Sequence, residues 1–300
     1  MQSALFFLYP LLCIHALHRC LPEKKNLKFY KTRSCYKSTI PIMSWKNANN
    51  VSDCMKFAAE KNGLAFNFSP NELKNYTQGR WFRNCQVLGC PEIRNSSTLV
   101  FDAAFDYYTA FGDFNSTQNS TCIKSVGLFS VIETKMNYTD AIYFCQNLGA
   151  DLANVLSEFR TNTLSALIKP LKNWYKAAYV GLEDMDVEGA FRTPMGTLME
   201  CSGFRAWAVG HPRPGRKKED CVILDADKTW RAINCRIKRP FICEFYPTPP
   251  ALPVVEFATK DCDKIKNKKK KRQCLNNNEL VQLYMNSSRM DQCALVNDFD

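Results

Sequence analysis

The chain predicts an α+β fold built from two short helices followed by a set of short strands and closed by disulfides. Three observations carry that expectation. Asn137 stands as an N-cap with Asp140 three residues on, and Ala141, Phe144, Cys145 and Leu148 then share one apolar helix face that Gly149 closes. A second helix is expected from Ser157, burying Leu164, Leu167 and Ile168, after which the period changes: residues 177–182, 221–224 and 240–245 are short apolar runs of strand length. Finally, the 300 residues include 15 cysteines, which in a small-domain protein reads as a disulfide framework.

The N-terminus supports an oxidising compartment. The apolar run from Ala4 to Leu17 falls short of the roughly 20 residues a membrane span needs, and it ends at Ile14-His15-Ala16 in the manner of a secretory signal, 1–16, although it carries no Lys or Arg before the run. Removing it takes away Cys13 and leaves 14 cysteines, an even number. Eight Asn-x-Ser/Thr sequons agree: Asn50, Asn67, Asn75, Asn95, Asn115, Asn119, Asn137 and Asn286. Pro70 follows the Asn67 sequon, so glycan is expected on the other seven. With no further transmembrane segment expected, the mature product should be released, soluble and extracellular.

The chain divides into a Cys-rich module at 35–122, a second domain at 127–245, a Pro-rich linker at 246–257 and a basic, Cys-containing tail at 258–300. The linker, Tyr246-Pro-Thr-Pro-Pro-Ala-Leu-Pro253, is expected to be extended. In the first module, residues 52–63 read as a helix carrying Cys54 and stopped by Gly63. A strand follows at 64–68, then a Cys-rich turn around Cys85 and Cys90 and an aromatic segment at 101–114.

The second domain carries a resemblance. Gly127-Leu-Phe-Ser-Val131, Tyr143-Phe-Cys145, Gly149-Ala-Asp-Leu-Ala153 and Tyr179-Val-Gly-Leu182 occur in the order of a C-type lectin-like domain. Cys221, Trp230, Cys235 and Phe241-Ile-Cys-Glu244 resemble its closing third. The likeness covers about two-fifths of the chain and implies a C-type lectin-like fold with a long loop. It also implies the pairs Cys145–Cys243 and Cys221–Cys235. The first module resembles a divergent PAN or apple module, in which Cys35 and Cys122 would be the enclosing pair and Cys54 would reach Cys85 or Cys90.

Sugar-binding members of the lectin family use calcium, which takes six to eight oxygen ligands. They place oxygen donors on both sides of a loop proline and directly after the late tryptophan. Here those positions hold His211, Arg213, Arg231 and Ala232, with only Glu219 left as an expected ligand. No cofactor is therefore expected, calcium included, and no other metal. The replacement is basic: Arg213, Arg216, Lys217 and Lys218 lie within six residues, and Arg231 would lie near them. Guanidinium forks suit sulfate, phosphate and carboxylate. The expected function is extracellular recognition or adhesion without metal. Its partners would be glycans or glycosaminoglycans, or protein ligands; nucleic acid is not expected. Sugar binding at another surface and a purely structural module are the alternatives.

An enzyme is not expected and no catalytic residue is assigned. The mature chain would keep at most His18 and His211, which leaves little for a His-based triad or a multi-His zinc site, and nucleophile-elbow, zinc-protease and phosphate-loop motifs are missing from the sequence. The run Lys268-Lys-Lys-Lys-Arg272, bracketed by Cys262 and Cys274, reads as a glycosaminoglycan patch, a basic-protease site or a solubilising tail.

Overall fold

The structure is a computed structural model of the 300-residue chain. It describes Cys20, residues 27–70, 83–93, 98–112, 119–171, 176–213 and 218–249, and Cys262, 267–272 and Cys274. The expected signal peptide, most of the linker and tail, and the sequons at Asn75, Asn95, Asn115 and Asn286 lie outside the described residues. The chain separates into two units, one holding Gln118–Tyr246 with Cys20, the other Leu27–Thr117 with the segment from Pro247.

The first unit in sequence is a five-stranded antiparallel sheet with one helix. Its strands are β1 (Tyr30–Ser38), β2 (Ile42–Lys46), β3 (Ala65–Phe68), β4 (Cys85–Leu88) and β5 (Leu99–Thr109), in the order β1-β5-β3-β4-β2. Helix α1 (Val51–Glu60) is capped by Asn50, whose side chain accepts from the Asp53 N–H. Cys54 on α1 is bonded to Cys85 on β4. Cys35, Cys90 and Cys122 are each disulfide-bonded as well. Phe66 stacks on Tyr108 at 4.7 Å between ring centroids and meets Phe29 edge-on, while Ala65, Leu88 and Tyr107 form a core cluster of their own.

Two local expectations change here. Residues 85–88 form a fully buried strand, not a turn, because β4 lies between β3 and β2. Asn62, with φ +52°, adopts the left-handed conformation after α1. Gly63 serves a different end: a Cβ there would come within 2.3 Å of Val87 Cγ1, so its bareness lets the chain pass β4. Asn67 is fully buried, accepting from the Ser38 N–H at 2.9 Å and donating to Ser38 O at 2.9 Å. Its sequon is thus part of the sheet's polar framework, as burial of an amide requires.

The second unit is a seven-stranded sheet flanked by two helices. Strands β6 (Thr121–Ile123), β7 (Gly127–Met136), β9 (Ala177–Glu183), β10 (Cys221–Asp225), β11 (Trp230–Ile233) and β12 (Arg239–Phe245) run in the order β11-β10-β9-β12-β7-β6, and β8 (Ala150–Leu152) joins β12. All pairings are antiparallel except β12 with β9, matched at Phe241 and Tyr179. The boundary expected at Cys122 falls inside this sheet, since β6 pairs with β7 through Cys122 and Leu128.

Helix α2 (Tyr138–Asn147) is capped by Asn137, and α3 (Glu158–Ile168) by Ser157. Gly149 takes φ +71° beyond α2, which a side chain would resist. Tyr138, Ala141 and Cys145 are the buried residues of α2. Cys145–Cys243 ties α2 to β12 across 98 residues, and Cys221–Cys235 spans 14. In the chain-entropy account such closures contribute about 4.7 and 3 kcal/mol. Cys20–Cys201 adds a third bridge. Trp230 is fully buried among Leu182, Val222, Leu224 and Ile242, and its indole N–H donates to Thr161 Oγ1 at 3.2 Å. Arg160 on α3 pairs with Glu244 on β12, fastening the helix to the sheet.

The Pro-rich segment begins in an ordered way. Thr248 bridges to Phe111, and its carbonyl accepts from the Gly112 N–H at 2.8 Å.

Candidate functional site

The site grows out of the turn between β10 and β11 and the segment that leads into β10. Trp230 fixes it from below. Its backbone exchanges hydrogen bonds with Ala206 and Ala208, and Trp207 and Phe204 meet its ring edge-on at 5.6 and 5.4 Å. This aromatic cluster holds residues 204–211 against the edge of the sheet.

Strand alternation then sets the charges. Trp230 points into the core, so Arg231, one residue on, points the other way. Its Nη2 donates to Asp225 Oδ1 at 2.5 Å. Asp225 ends β10 and is nearly buried, whereas the Arg231 side chain keeps 36% exposure. Burial pushes the Asp225 carboxyl up, and the Arg231 hydrogen bond and charge pull it back. Asp227 accepts from the Thr229 N–H and hydroxyl at 3.1 and 2.7 Å, and Lys228 takes φ +75°. The acidic pair is therefore a turn lock and an ion-pair partner.

A second guanidinium repeats the arrangement. Arg213 Nη1 lies 3.4 Å from Glu219 Oε1, with the arginine side chain 46% exposed. Between them in sequence, Arg216 and Lys217 lie outside the described residues, while Lys218 is exposed. His211 is joined to Pro212 by a cis peptide. Its imidazole is held below the ordinary range by burial first and by the Arg213 and Arg231 charges next. Its Nδ1 and Glu219 Oε2 are buried without a hydrogen-bond partner among the described residues.

Of the five expected ligand contacts, the structure describes Arg213, Lys218 and Arg231. Arg231 also borders a shallow pocket of about 390 Å³ with Lys176, Ala208, Asp225, Ala226, Asp227 and Thr229. Lys176 has no sequence signal linking it to this site. It arrives there because Ala226 N–H donates to its carbonyl at 2.9 Å beside β9. Ala232 is buried under the sheet and presents no oxygen donor. Among the described residues no group of three or more His, Cys, Asp or Glu is arranged to hold a metal.

A separate carboxylate lies at the end of β9. Asp184 is almost fully buried; its Oδ2 accepts from the Gly189 N–H at 2.8 Å, and its Oδ1 has no hydrogen-bond partner among the described residues. Burial, assisted by Glu188, Asp220 and Glu183, pushes its carboxyl up to about 6.

Residues 134–245 match the family described as "Lectin C-type domain". Collectin-43 of cattle (Bos taurus) is 31% identical over 121 residues, 39% of this chain and 36% of its own length. Lithostathine-2 of mouse (Mus musculus) is 28% identical over 121 residues, 39% of this chain and 68% of its own. The chain thus spans about a third of the collectin and two-thirds of the lithostathine. Among solved structures, human lithostathine overlaps 43% of this chain and 89% of its own at 22% identity, with a TM-score of 0.39.

Proposed function

Because residues 134–245 form a C-type lectin-like domain, we propose that this is a secreted recognition protein that binds anionic glycan without a metal, through the basic loop ahead of β10. The contacts are Arg213, Arg216, Lys217, Lys218 and Arg231. The observation that carries this reading is the Arg231–Asp225 pair. A guanidinium stands among the carboxylates where a dication would otherwise collect oxygen ligands, and Arg213 does the same at Glu219.

Calcium fits this donor set poorly. It would have to compete with two fixed positive charges for two carboxylates, and the residue after Arg231 is a buried alanine. The exposed faces of Arg213 and Lys218 leave a cationic surface on the solvent side, which suits sulfate or carboxylate groups spaced along a polysaccharide.

Secretion is supported by the N-terminal apolar run and by disulfides in both units. The sheet-and-helix unit ahead of the lectin-like domain is read as a divergent PAN or apple-like interaction module, supported by the bridge from α1 to β4. The test is heparin-affinity elution with and without chelator. Neutralising Arg213, Arg216, Lys217 and Lys218 together should lower the salt needed for elution, and chelator should change nothing. Unchanged elution of that variant, or elution that collapses with chelator, would refute the proposal.

A further inference from the structure

We propose that the helical turn 268–272, beside the Cys262–Cys274 disulfide, is a second binding element, distinct from the loop ahead of β10, and that its ligand is a sulfated polysaccharide. The two cysteines are bonded, and Cys262 is buried. Between them stand seven Lys or Arg and one Asp. Asn267 caps the turn: its side-chain oxygen accepts from the Lys269 and Lys270 N–H groups at 3.1 Å, and its carbonyl accepts from the Lys271 N–H at 2.8 Å. Residues 268–272 are helical, and Lys268, Lys269, Lys270 and Arg272 are exposed.

At 1.5 Å rise per residue, five consecutive cations lie within roughly 6 Å of helix axis. Like charges three and four residues apart destabilise a helix, and among the described residues these four make no ion pair. The cap and the disulfide hold a turn whose own charges oppose it. A polyanion laid along the turn relieves that repulsion and releases its counterions. Helical spacing spreads the cations around the axis, which suits an extended chain of sulfates rather than one small anion.

Two other occupants are less well matched. A membrane surface would gain nothing beyond charge, since residues 266–273 carry no apolar side chain to insert. A protease needs an extended strand at Lys268–Arg272, whereas this backbone is already bonded as a helical turn.

The secreted full-length chain, loaded on heparin and titrated against salt, tests the idea. Replacing Lys268, Lys269, Lys270 and Arg272 by Gln should weaken binding at least about tenfold near 0.15 M salt. It should also lower the slope of log affinity against log salt by about 3, as for other polyanions. Cys262→Ser with Cys274→Ser keeps every charge and should elute between the two. The variant neutralised at Arg213, Arg216, Lys217 and Lys218 should retain this component, so either site can fail alone. Elution of the Gln variant at the wild-type salt, stronger binding to anionic vesicles than to heparin, or a reduced mass split after Arg272 would each overturn the proposal.

Discussion

Asp184→Asn should change how stability depends on pH. The Asp184 carboxyl rises from 3.8 to about 6 on folding because it loses water at the end of β9 and faces Glu188, Asp220 and Glu183. Its folded pKa exceeds its unfolded one, so the folded state holds its proton more tightly. The contribution to stability is fully present below pH 4 and is lost as pH rises through about 6. A shift of about 2 pH units corresponds to about 3 kcal/mol between those limits. The Asn variant lacks this titration. Its amide can still accept from the Gly189 N–H, but it puts an NH2 where Oδ1 has no partner among the described residues, which costs about 1–3 kcal/mol at every pH. The readout is therefore the slope, not the offset. Urea denaturation of both proteins from pH 4 to 7.5 should show the variant gaining about 3 kcal/mol relative to wild type as pH rises. Parallel curves across that range would refute the assignment of the penalty to this carboxylate.

Arg231→Met should lower stability at pH 7 by about 1–2 kcal/mol. It strands the nearly buried Asp225, and the partial exposure of the arginine tempers the loss. The urea midpoint should fall at unchanged m-value, and an unmoved midpoint would show the pair to be inconsequential. Glycopeptide mapping of the secreted protein should find sugar at the exposed Asn50 and Asn119 and none at Asn67. Both faces of the Asn67 amide are engaged with Ser38 inside the sheet, so occupancy there would contradict the register of β3.

The helices of the lectin-like domain were legible in the sequence because their signals are local. Asn137 and Ser157 cap α2 and α3, and Gly149 follows α2 at positive φ. The strands at Cys221 and Phe241 were legible for the same reason, as short apolar runs between turn residues. In the preceding module the pattern misled at residues 85–88. A short stretch beside cysteines reads as a turn until its neighbours on both sides are known, and those come from at least 17 residues away. The termination of α1 misled likewise. Glycine is the usual left-handed residue, but here Asn62 takes that role and Gly63 yields space to Val87.

What the sequence by itself determined is the scaffold and the kind of charge on it. The ordered cysteines, the late tryptophan and the basic residues Arg213 and Arg231 are all readable without coordinates. What only the tertiary structure decided is where those charges go. Register between β10 and β11 sets Arg231 against Asp225, six residues away across the turn; the backbone bond to Trp230 brings Ala208 to the same pocket, and the Ala226 N–H bond to its carbonyl brings Lys176. Side-chain identity is written locally, but an ion pair depends on distance, and distance between strands is fixed only when the sheet closes.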